Sequence, residues 1–310
     1  MNTATITVAA LMMTPAVRLV PSVTASRAGG PRSWRSRIRL RGPESHRCLP
    51  ERTPMNRFDG RTAIVTGGGS GIGQATVLRL LDEGATVLAA DISTDGLTDT
   101  QARADNAGTA PRLSTAVLDI ADETAVQDVV GRAITDLGRL DVLVNAAGIL
   151  RGAHTHDCSL ELWNRIIAVN LTGTFLVTRT ALPALLDTGR GVIVNFSSTS
   201  ASFSHPFMAA YSASKGGIEA FTHAIAGEYA KQGLRAVNIA PGSISSGITN
   251  DFTRLVPSDI DYTLLRKLTP ALGQGHAAPE TVAGVVAMLA SDDGAFITGT
   301  EIRIDGGTHQ

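Results

Sequence analysis

The sequence predicts one α/β domain, in which a doubly wound parallel sheet of about seven strands carries helices on both faces. Short apolar runs alternate with helical periods from residue 61 onwards, and this alternation is typical of a parallel sheet covered on both sides. The first run leads directly into a glycine-rich turn. The alternation never breaks, so we predict one domain over residues 55–310, although length alone would allow two.

Seven short runs rich in apolar residues mark the strands in order: Ala63–Val65, Thr86–Ala90, Leu113–Leu118, Val142–Val144, Val192–Val194, Ala236–Ile239 and Ile302–Ile304. Between them, apolar residues recur with helical spacing. The clearest such face joins the third and fourth strands and consists of Val126, Val129, Val130, Ala133, Ile134 and Leu137. Ligands of such sheets bind at the carboxyl ends of the strands, so the residues that follow each strand are the site candidates.

Composition and charge exclude several classes of function. The chain has 310 residues, of which 43% are hydrophobic and 18% charged. Nine arginines and two glutamates give residues 1–54 a charge of +7, which leaves −8 on the remainder. An acidic body does not favour nucleic-acid binding, and no run of about 18 apolar residues predicts a membrane span. The two cysteines, Cys48 and Cys158, suit a reducing, cytoplasmic compartment.

Residues 1–54 have no sustained helical or strand period and are rich in Arg, Ser and Pro. The favoured interpretation is a disordered N-terminal extension, translated from a start codon placed too far upstream, because Met55 opens the sequence that leads into the first strand. The Arg-rich, acid-poor composition also fits a mitochondrial transit peptide. A secretory signal fits less well, since Arg18 comes after the apolar stretch instead of before it.

The glycine-rich turn predicts a dinucleotide site. Gly67, Gly71 and Gly73 have the spacing G-x-x-x-G-x-G, which differs from the commonest fingerprint G-x-G-x-x-G. The physical logic is shared, because missing side chains let the backbone approach a pyrophosphate and a helix N-terminus offers its N–H groups. The position after a strand and before a helical period strengthens the prediction.

Asp91 ends the second strand and predicts the choice of dinucleotide. An acid at this place is expected to accept hydrogen bonds from the adenosine ribose. A 2′-phosphate would meet the carboxylate as a like charge, and neither 67–73 nor 89–95 contains Lys or Arg. The sequence therefore favours NAD over NADP.

Tyr211 and Lys215 are four residues apart in Tyr-Ser-Ala-Ser-Lys, so a helix would place both side chains on one face. A nearby ammonium favours the phenolate and is expected to lower the tyrosine pKa. Ser198 lies at the end of the fifth strand. Its neighbour Ser197 would point to the opposite face of that strand, so only one of the two serines can face the site.

The turn, Ser198, Tyr211 and Lys215 together resemble the short-chain dehydrogenase/reductase family over roughly residues 55–310. The resemblance implies a Rossmann-type fold and a catalytic group of Asn170, Ser198, Tyr211 and Lys215. In that group Ser198 would bind the reacting oxygen, Lys215 would also bind the nicotinamide ribose, and Asn170 would hold a water that links Lys215 to solvent. The spacing of the family selects Ser198 over Ser197.

The resemblance also implies a set of cofactor-binding residues that follow the strands. They are Gly67, Ser70, Gly71, Ile72, Gly73, Asp91, Asp119, Ile120, Asn145, Ala146, Gly148, Tyr211, Lys215, Pro241, Gly242, Ile244 and Ser246. The family usually has Thr where this chain has Ser246, which keeps the hydroxyl. Asn145 would steady the sheet beside the cofactor.

The leading functional hypothesis is an NAD-dependent oxidoreductase acting on a secondary alcohol or ketone. An NADPH-dependent 3-oxoacyl-thioester reductase is the alternative, which Asp91 disfavours. A non-catalytic nucleotide sensor is a third class, disfavoured because none of the four catalytic residues is lost. His154, His156 and His205 lack the further ligands of a zinc site, so no metal is predicted, and His205 with Phe207 is expected at the substrate entrance.

The expected partners are a small-molecule substrate and further copies of the chain. Residues 249–275 are expected to form a lid, and their apolar side chains indicate a substrate with hydrophobic surface. Family members are commonly tetramers, so the resemblance implies a homotetramer or dimer joined through helices at about 159–187 and 209–232. Neither a nucleic acid nor a membrane is an expected partner.

Overall fold

The computed structural model describes residues 56–245, 255–272 and 275–309. Strands and helices alternate from Thr62 onwards, which confirms the predicted fold class. The strands are β1 Thr62–Thr66, β2 Thr86–Asp91, β3 Leu113–Val117, β4 Val142–Asn145, β5 Val192–Phe196, β6 Arg235–Pro241 and β7 Glu301–Ile304. The α-helices are α1 Gly71–Asp82, α2 Thr94–Asn106, α3 Glu123–Leu137, α4 Leu160–Ile167, α5 Thr174–Asp187, α6 Ala209–Tyr229 and α7 Pro279–Ala290. The predicted extension 1–54 and Ser246 lie outside the described residues.

The seven strands form one parallel sheet in the order β3-β2-β1-β4-β5-β6-β7. The chain winds outward from β1 to β3 and then returns to place β4 on the other side of β1. The connections that leave the carboxyl ends of the adjacent strands β1 and β4 therefore run in opposite directions along the sheet, and sheets of this kind bind ligands at such a switch in strand order.

Each side of the sheet carries its own apolar core, because successive side chains of a strand point to opposite faces. On β1, Ala63 and Val65 belong to the cluster that includes residues of α1 and α7. Ile64 belongs to the second cluster, which includes residues of α3 and α5. All five residues of β1 are buried, as expected for a central parallel strand.

Helices α2 and α3 each begin at a short polar side chain that caps the first turn. Ser93 accepts a hydrogen bond from Gly96 N at the start of α2, and Asp122 accepts one from Ala125 N at the start of α3. Each cap satisfies one of the backbone N–H groups that a first helical turn leaves without an intrahelical partner.

A chain of buried side-chain hydrogen bonds joins the three strands under the site. Asn145 Nδ2 donates to Asn195 Oδ1 at 2.8 Å, and Asn195 Nδ2 donates to Thr222 Oγ1 at 2.8 Å. Thr222 in turn donates to Asn238 Oδ1 at 2.9 Å. The three asparagines occupy matching register positions on β4, β5 and β6, so a shift of any of these strands along its neighbour would break the hydrogen bonds. Asn145 thus links β4 to β5, as expected for a residue that stabilises the sheet at this point.

Between α4 and α5 the helix widens into a π-helical segment, Ala168–Gly173, which contains Asn170. Such segments are rare and frequently mark functional sites. The whole stretch Leu160–Asp187 is long and apolar enough to cross a membrane by length and composition, although half of its most apolar window is buried inside the fold. A core helix passes the same test, so the stretch is weak support for a membrane span.

Candidate active site

A cavity of about 510 Å³ lies at the carboxyl ends of the central strands. It brings together residues that the sequence places far apart. The predicted site residues that line it are Ile72, Ala146, Gly148, Ser198, Tyr211, Lys215, Pro241, Gly242 and Ile244. Leu150, Met208 and Leu265 add apolar surface.

The glycine turn between β1 and α1 is compact enough to exclude side chains. Gly67 has φ +72°, and a Cβ there would come within 2.8 Å of Ala147 N. A Cβ at Gly73 would lie 2.0 Å from Gly67 O. Ser70 makes no side-chain cap bond and the first turn of α1 holds no acidic residue, so its N–H groups and dipole suit an anion. The turn therefore fits the pyrophosphate of a dinucleotide.

Asp91 lies beside this turn at the end of β2. Its Oδ2 accepts a hydrogen bond from Gly69 N at 2.9 Å, and its Oδ1 accepts one from Ser93 N at 2.9 Å. These two bonds fix the carboxylate next to the turn. Asp91 is partly exposed, so its oxygens can accept further bonds from a ribose.

Asp119 and Ile120, two of the predicted cofactor-binding residues, follow β3. Asp119 Oδ1 accepts a hydrogen bond from Ala121 N at 2.9 Å, and its Oδ2 lies 3.5 Å from the Arg165 guanidinium. Ile120 is buried and packs against Gly173, where a Cβ would come within 2.7 Å of its side chain. Asp119 and Ile120 thus lie on the same sheet edge as Asp91, as predicted from the strand ends.

Lys215 is buried beneath the cavity on α6, with 5% of its surface exposed. Its Nζ donates a hydrogen bond to Phe196 O at 2.7 Å and lies 5.6 Å from the centre of the Tyr211 ring. Burial lowers the pKa of Lys215 to about 8. The helix thus places the ammonium next to the phenol, as the four-residue spacing predicts.

Tyr211 departs from the expected pKa. Burial raises the pKa of the phenol above its usual value, and the hydrogen bond with Ser198 only partly opposes this. The expected net lowering of the Tyr211 pKa is therefore wrong for this arrangement, because the effect of burial is the larger one. The ammonium hydrogen-bonds to the Phe196 carbonyl, whereas the removal of water from around the phenolate penalises the charged form directly.

Ser197 and Ser198 use their hydroxyls differently, as strand alternation predicts. The Ser198 hydroxyl acts on the Tyr211 phenol and opposes the rise in its pKa, and Ser198 Oγ accepts a hydrogen bond from Ser200 N at 3.2 Å. Ser197 Oγ instead donates to Glu301 Oε2 on β7 at 2.6 Å. Of the two serines, Ser198 is therefore the one placed to bind a reacting oxygen beside the phenol.

Glu301 is a residue near the site that the sequence analysis missed. The backbone pairing between β5 and β6 ends at Phe196 and Ile239. The hydrogen bond from Ser197 to Glu301 therefore connects the residue that follows β5 to β7. Burial is the main cause that raises the pKa of the Glu301 carboxyl. The one sequence feature that could have indicated Glu301 as a residue near the site is its position as an acidic residue directly before Ile302 in the last predicted strand.

Asn170 is fully buried, and its amide is engaged on every side. Oδ1 accepts from Ile149 N at 2.8 Å, while Nδ2 donates to Ile149 O at 2.9 Å and to Ser214 Oγ at 3.0 Å. The side chain therefore fastens the loop after β4 to α6, next to Gly148 and Lys215. The water relay that the resemblance implies stays a prediction.

Three segments that neighbour the cavity-lining residues Leu150 and Met208 meet at Gly152. Gly152 N donates to Leu255 O at 2.6 Å, and a Cβ at this glycine would come within 3.0 Å of Phe207 O. His205 lines the cavity, as expected, and so do Tyr262 and Leu265 of the predicted lid. Residues 249–254 and 273–274 of that lid, with Phe252, lie outside the described residues. Within the described residues, no group of three His, Cys, Asp or Glu side chains is arranged to hold a metal ion.

Comparison with known proteins agrees with this geometry. The family model for short chain dehydrogenase matches residues 61–255. A 3-oxoacyl-[acyl-carrier-protein] reductase of Thermotoga maritima is 38% identical over 251 residues, which cover 81% of this chain and 98% of the relative. A meso-2,3-butanediol dehydrogenase of Serratia marcescens is 34% identical, covering 81% of this chain and 95% of the relative.

Among solved structures, a short chain dehydrogenase of Mycobacterium paratuberculosis bound to NAD superposes with a TM-score of 0.77. It is 30% identical, and the match covers 81% of this chain and 98% of that chain. The chain therefore belongs to the short-chain dehydrogenase/reductase family, whose members are oxidoreductases acting on CH–OH groups.

Proposed function

We propose that this protein transfers a hydride between NAD(H) and a secondary alcohol or ketone that carries hydrophobic surface. The observation that carries the proposal is the arrangement of Ser198, Tyr211 and Lys215 on one cavity wall, with Asp91 at the end of β2. The test is a panel of secondary alcohols, hydroxysteroids, sugars and 3-hydroxyacyl thioesters, each assayed with NAD and with NADP. Turnover of a secondary alcohol with NAD supports the proposal, and turnover of no member of the panel contradicts it.

NAD, when bound, supplies or accepts the hydride. In reduction, Ser198 donates a hydrogen bond to the substrate oxygen, and the Tyr211 phenol gives that oxygen its proton. In oxidation, the Tyr211 phenolate takes the proton back. The Lys215 ammonium stabilises that phenolate, and the buried wall around the pair excludes water, which strengthens their electrostatic interaction.

The cavity lining supports a substrate with apolar surface and at least one polar group besides the reacting oxygen. Leu150, Met208, Tyr262 and Leu265 provide apolar contacts, whereas His205, His276 and His309 place imidazole rings around the same space. Burial lowers the pKa of His205 to about 4, so this ring is neutral at physiological pH. A neutral imidazole can hydrogen-bond a carbonyl or hydroxyl group without demanding a charged substrate.

A 3-oxoacyl-thioester reductase using NADPH is the second candidate, since a 3-oxoacyl-[acyl-carrier-protein] reductase is 38% identical to this chain. The two candidates differ in their cofactor. The Asp91 carboxylate beside the glycine turn favours NAD, because a 2′-phosphate would approach it as a like charge. For unit charges 4 Å apart the repulsion is about 4 kcal/mol at an effective dielectric constant of 20.

Asp91→Asn should therefore reduce the preference for NAD, because it removes the charge while keeping an acceptor for the backbone. We expect the ratio of kcat/KM for NAD over NADP to exceed one in the wild type and to fall by at least about tenfold in the variant, a loss of about 1.4 kcal/mol of discrimination. Steady-state kinetics with both cofactors measures the ratio. Asp95→Asn is the matched control, since Asp95 is an exposed acid in the first turn of α2. A wild-type ratio of kcat/KM for NAD over NADP below one would contradict the assignment of NAD as the preferred cofactor.

We further propose that copies of the chain associate through α4, α5 and α6. Leu160 and Phe175 are exposed by 72% and 41%, and the Phe175 ring packs edge-on against Phe221 of α6 at 6.2 Å. Exposed apolar side chains on adjoining helices favour a self-complementary contact. Sedimentation at micromolar concentration should show a dimer or tetramer, and Phe175→Glu should shift it towards the monomer. A wild-type monomer would contradict this proposal and leave the chemistry unaffected.

A further inference from the structure

A second cavity, of about 310 Å³, lies at the opposite edge of the sheet, where the strands begin. Three arginines from distant parts of the chain line it: Arg61 before β1, Arg190 before β5 and Arg235 at the start of β6. Asp292, which follows α7, is the one carboxylate among the described residues of its lining. This cavity is separate from the proposed active site, which lies at the carboxyl ends of the strands.

Arg61 is the most deeply buried of the three, with 6% of its surface exposed. A guanidinium carries five N–H donors, yet among the described residues the Arg61 side chain makes one hydrogen bond, from Nη2 to Asp292 Oδ1 at 2.5 Å. Asp292 itself is largely exposed at the rim of the cavity. Most of the hydrogen-bonding capacity of a buried cation is therefore free within the described part of the chain.

Arg235 is held in place by the backbone and has no carboxylate partner of its own within the described residues. Its Nη1 donates to Leu289 O at 2.8 Å and its Nη2 to Ser291 O at 3.0 Å. Burial lowers the pKa of Arg235, and the charge of Arg61 lowers it further. Two guanidinium groups thus repel each other across the cavity, and Asp292 compensates only part of this.

Arg190 adds a third positive charge, which is only weakly neutralised by the nearest carboxylate, Asp141. Its Nε lies 3.6 Å from Asp141 Oδ1, but Asp141 already accepts two hydrogen bonds from Arg139, at 2.9 and 2.6 Å. The Arg190 side chain is about half exposed, so it can turn into the cavity. Three guanidinium groups therefore surround a space that holds one carboxylate.

We propose that this cavity binds a divalent oxyanion of the phosphate class, as inorganic phosphate or as the phosphate group of a small phosphomonoester. Guanidinium groups present paired donors that match phosphate oxygens. The volume of 310 Å³ is about ten times the ~30 Å³ that one water occupies in the liquid, so a tetrahedral oxyanion fits. A doubly charged anion would balance the two positive charges that Asp292 leaves uncompensated.

The test is calorimetric titration of the full chain with inorganic phosphate, and in a second arm with glycerol 3-phosphate, at constant ionic strength. Arg190→Gln should weaken binding by at least about tenfold, the loss of one charge-assisted contact. Asp292→Asn should tighten binding, because it removes the competing carboxylate. Arg132→Gln is the control, since Arg132 is exposed and its Nε donates to the backbone of its own helix at Asp128 O, and this variant should bind as the wild type does.

The two substitutions in the cavity should change the affinity for phosphate in opposite directions. This distinguishes an anion-binding site from a network of ion pairs that only stabilises the fold. Saturable binding of either probe that follows this pattern supports the proposal, and the arm that binds more tightly identifies the source of the phosphate. Binding of neither probe overturns it. An equal effect in the wild type and all three variants also overturns it, because that result would be a general salt effect.

Discussion

Tyr211→Phe should lower the turnover of a working alcohol by about 10²–10⁴-fold, the usual contribution of general acid–base catalysis. The ring stays, so packing and NAD affinity should remain close to wild type. The measurements are kcat with a substrate from the alcohol panel and the dissociation constant of NAD by fluorescence titration. Tyr229→Phe is the matched control, because Tyr229 ends the same helix at a distance from the cavity, and it should keep full activity.

The pH dependence gives the same prediction a second readout. Oxidation requires the phenolate of Tyr211, whose pKa burial raises. The oxidation rate should therefore climb from neutral to alkaline pH, whereas reduction, which needs the protonated phenol, should decline over the same range. Tyr211→Phe should abolish both slopes. Near-normal turnover of this variant would end the mechanism proposed here.

Lys215→Met should be at least as damaging to activity, because it removes both the charge that stabilises the phenolate and a donor expected to hold the nicotinamide ribose. We expect kcat to fall by about 10²–10⁴-fold or more, since the acid–base step depends on this charge, and KM for NAD to rise. Methionine keeps most of the length and volume of lysine. Lys231→Met, at an exposed position just after α6, is the control that should retain activity.

The same substitution should increase stability, which a merely structural lysine would not do. Burial lowers the pKa of Lys215 from 10.5 to about 8, so the folded state disfavours the charged form. A difference of this size costs the wild type about 3 kcal/mol at pH values below 8, at 1.36 kcal/mol per pKa unit. The cost fades as pH rises from 8 towards 10.5. The lost hydrogen bond to Phe196 O offsets about 1 kcal/mol.

Urea unfolding at pH 7 should therefore give the Lys215→Met variant a higher free energy of unfolding than the wild type, with the difference shrinking at pH 10. Loss of activity together with gained stability would assign a functional role to Lys215, because active sites commonly sacrifice stability for chemistry. Loss of both activity and stability would instead assign the lysine to the fold.

The order of strands and helices could be predicted from the sequence because it depends on local periodicity. Apolar runs such as Val142–Val144 and the helical face around Val126 repeat over distances that a single element spans. The turn at Gly67–Gly73 and the spacing of Tyr211 and Lys215 are likewise local. For the same reason, the sequence alone predicts that Ser197 and Ser198 face opposite ways and that Asp91 ends its strand beside the glycine turn.

Tertiary structure decided the features that depend on residues far apart in the chain. Glu301 reaches Ser197 across 104 positions, and Asn170 fastens the loop at Ile149 by hydrogen bonds to both the backbone N–H and the backbone C=O of that residue. The raised pKa of Tyr211 and the cavity lined by Arg61 and Arg235 likewise depend on the packing of elements that are far apart in the chain. Burial and charge proximity are set by how elements pack, and no local spacing encodes how much water a side chain loses on folding.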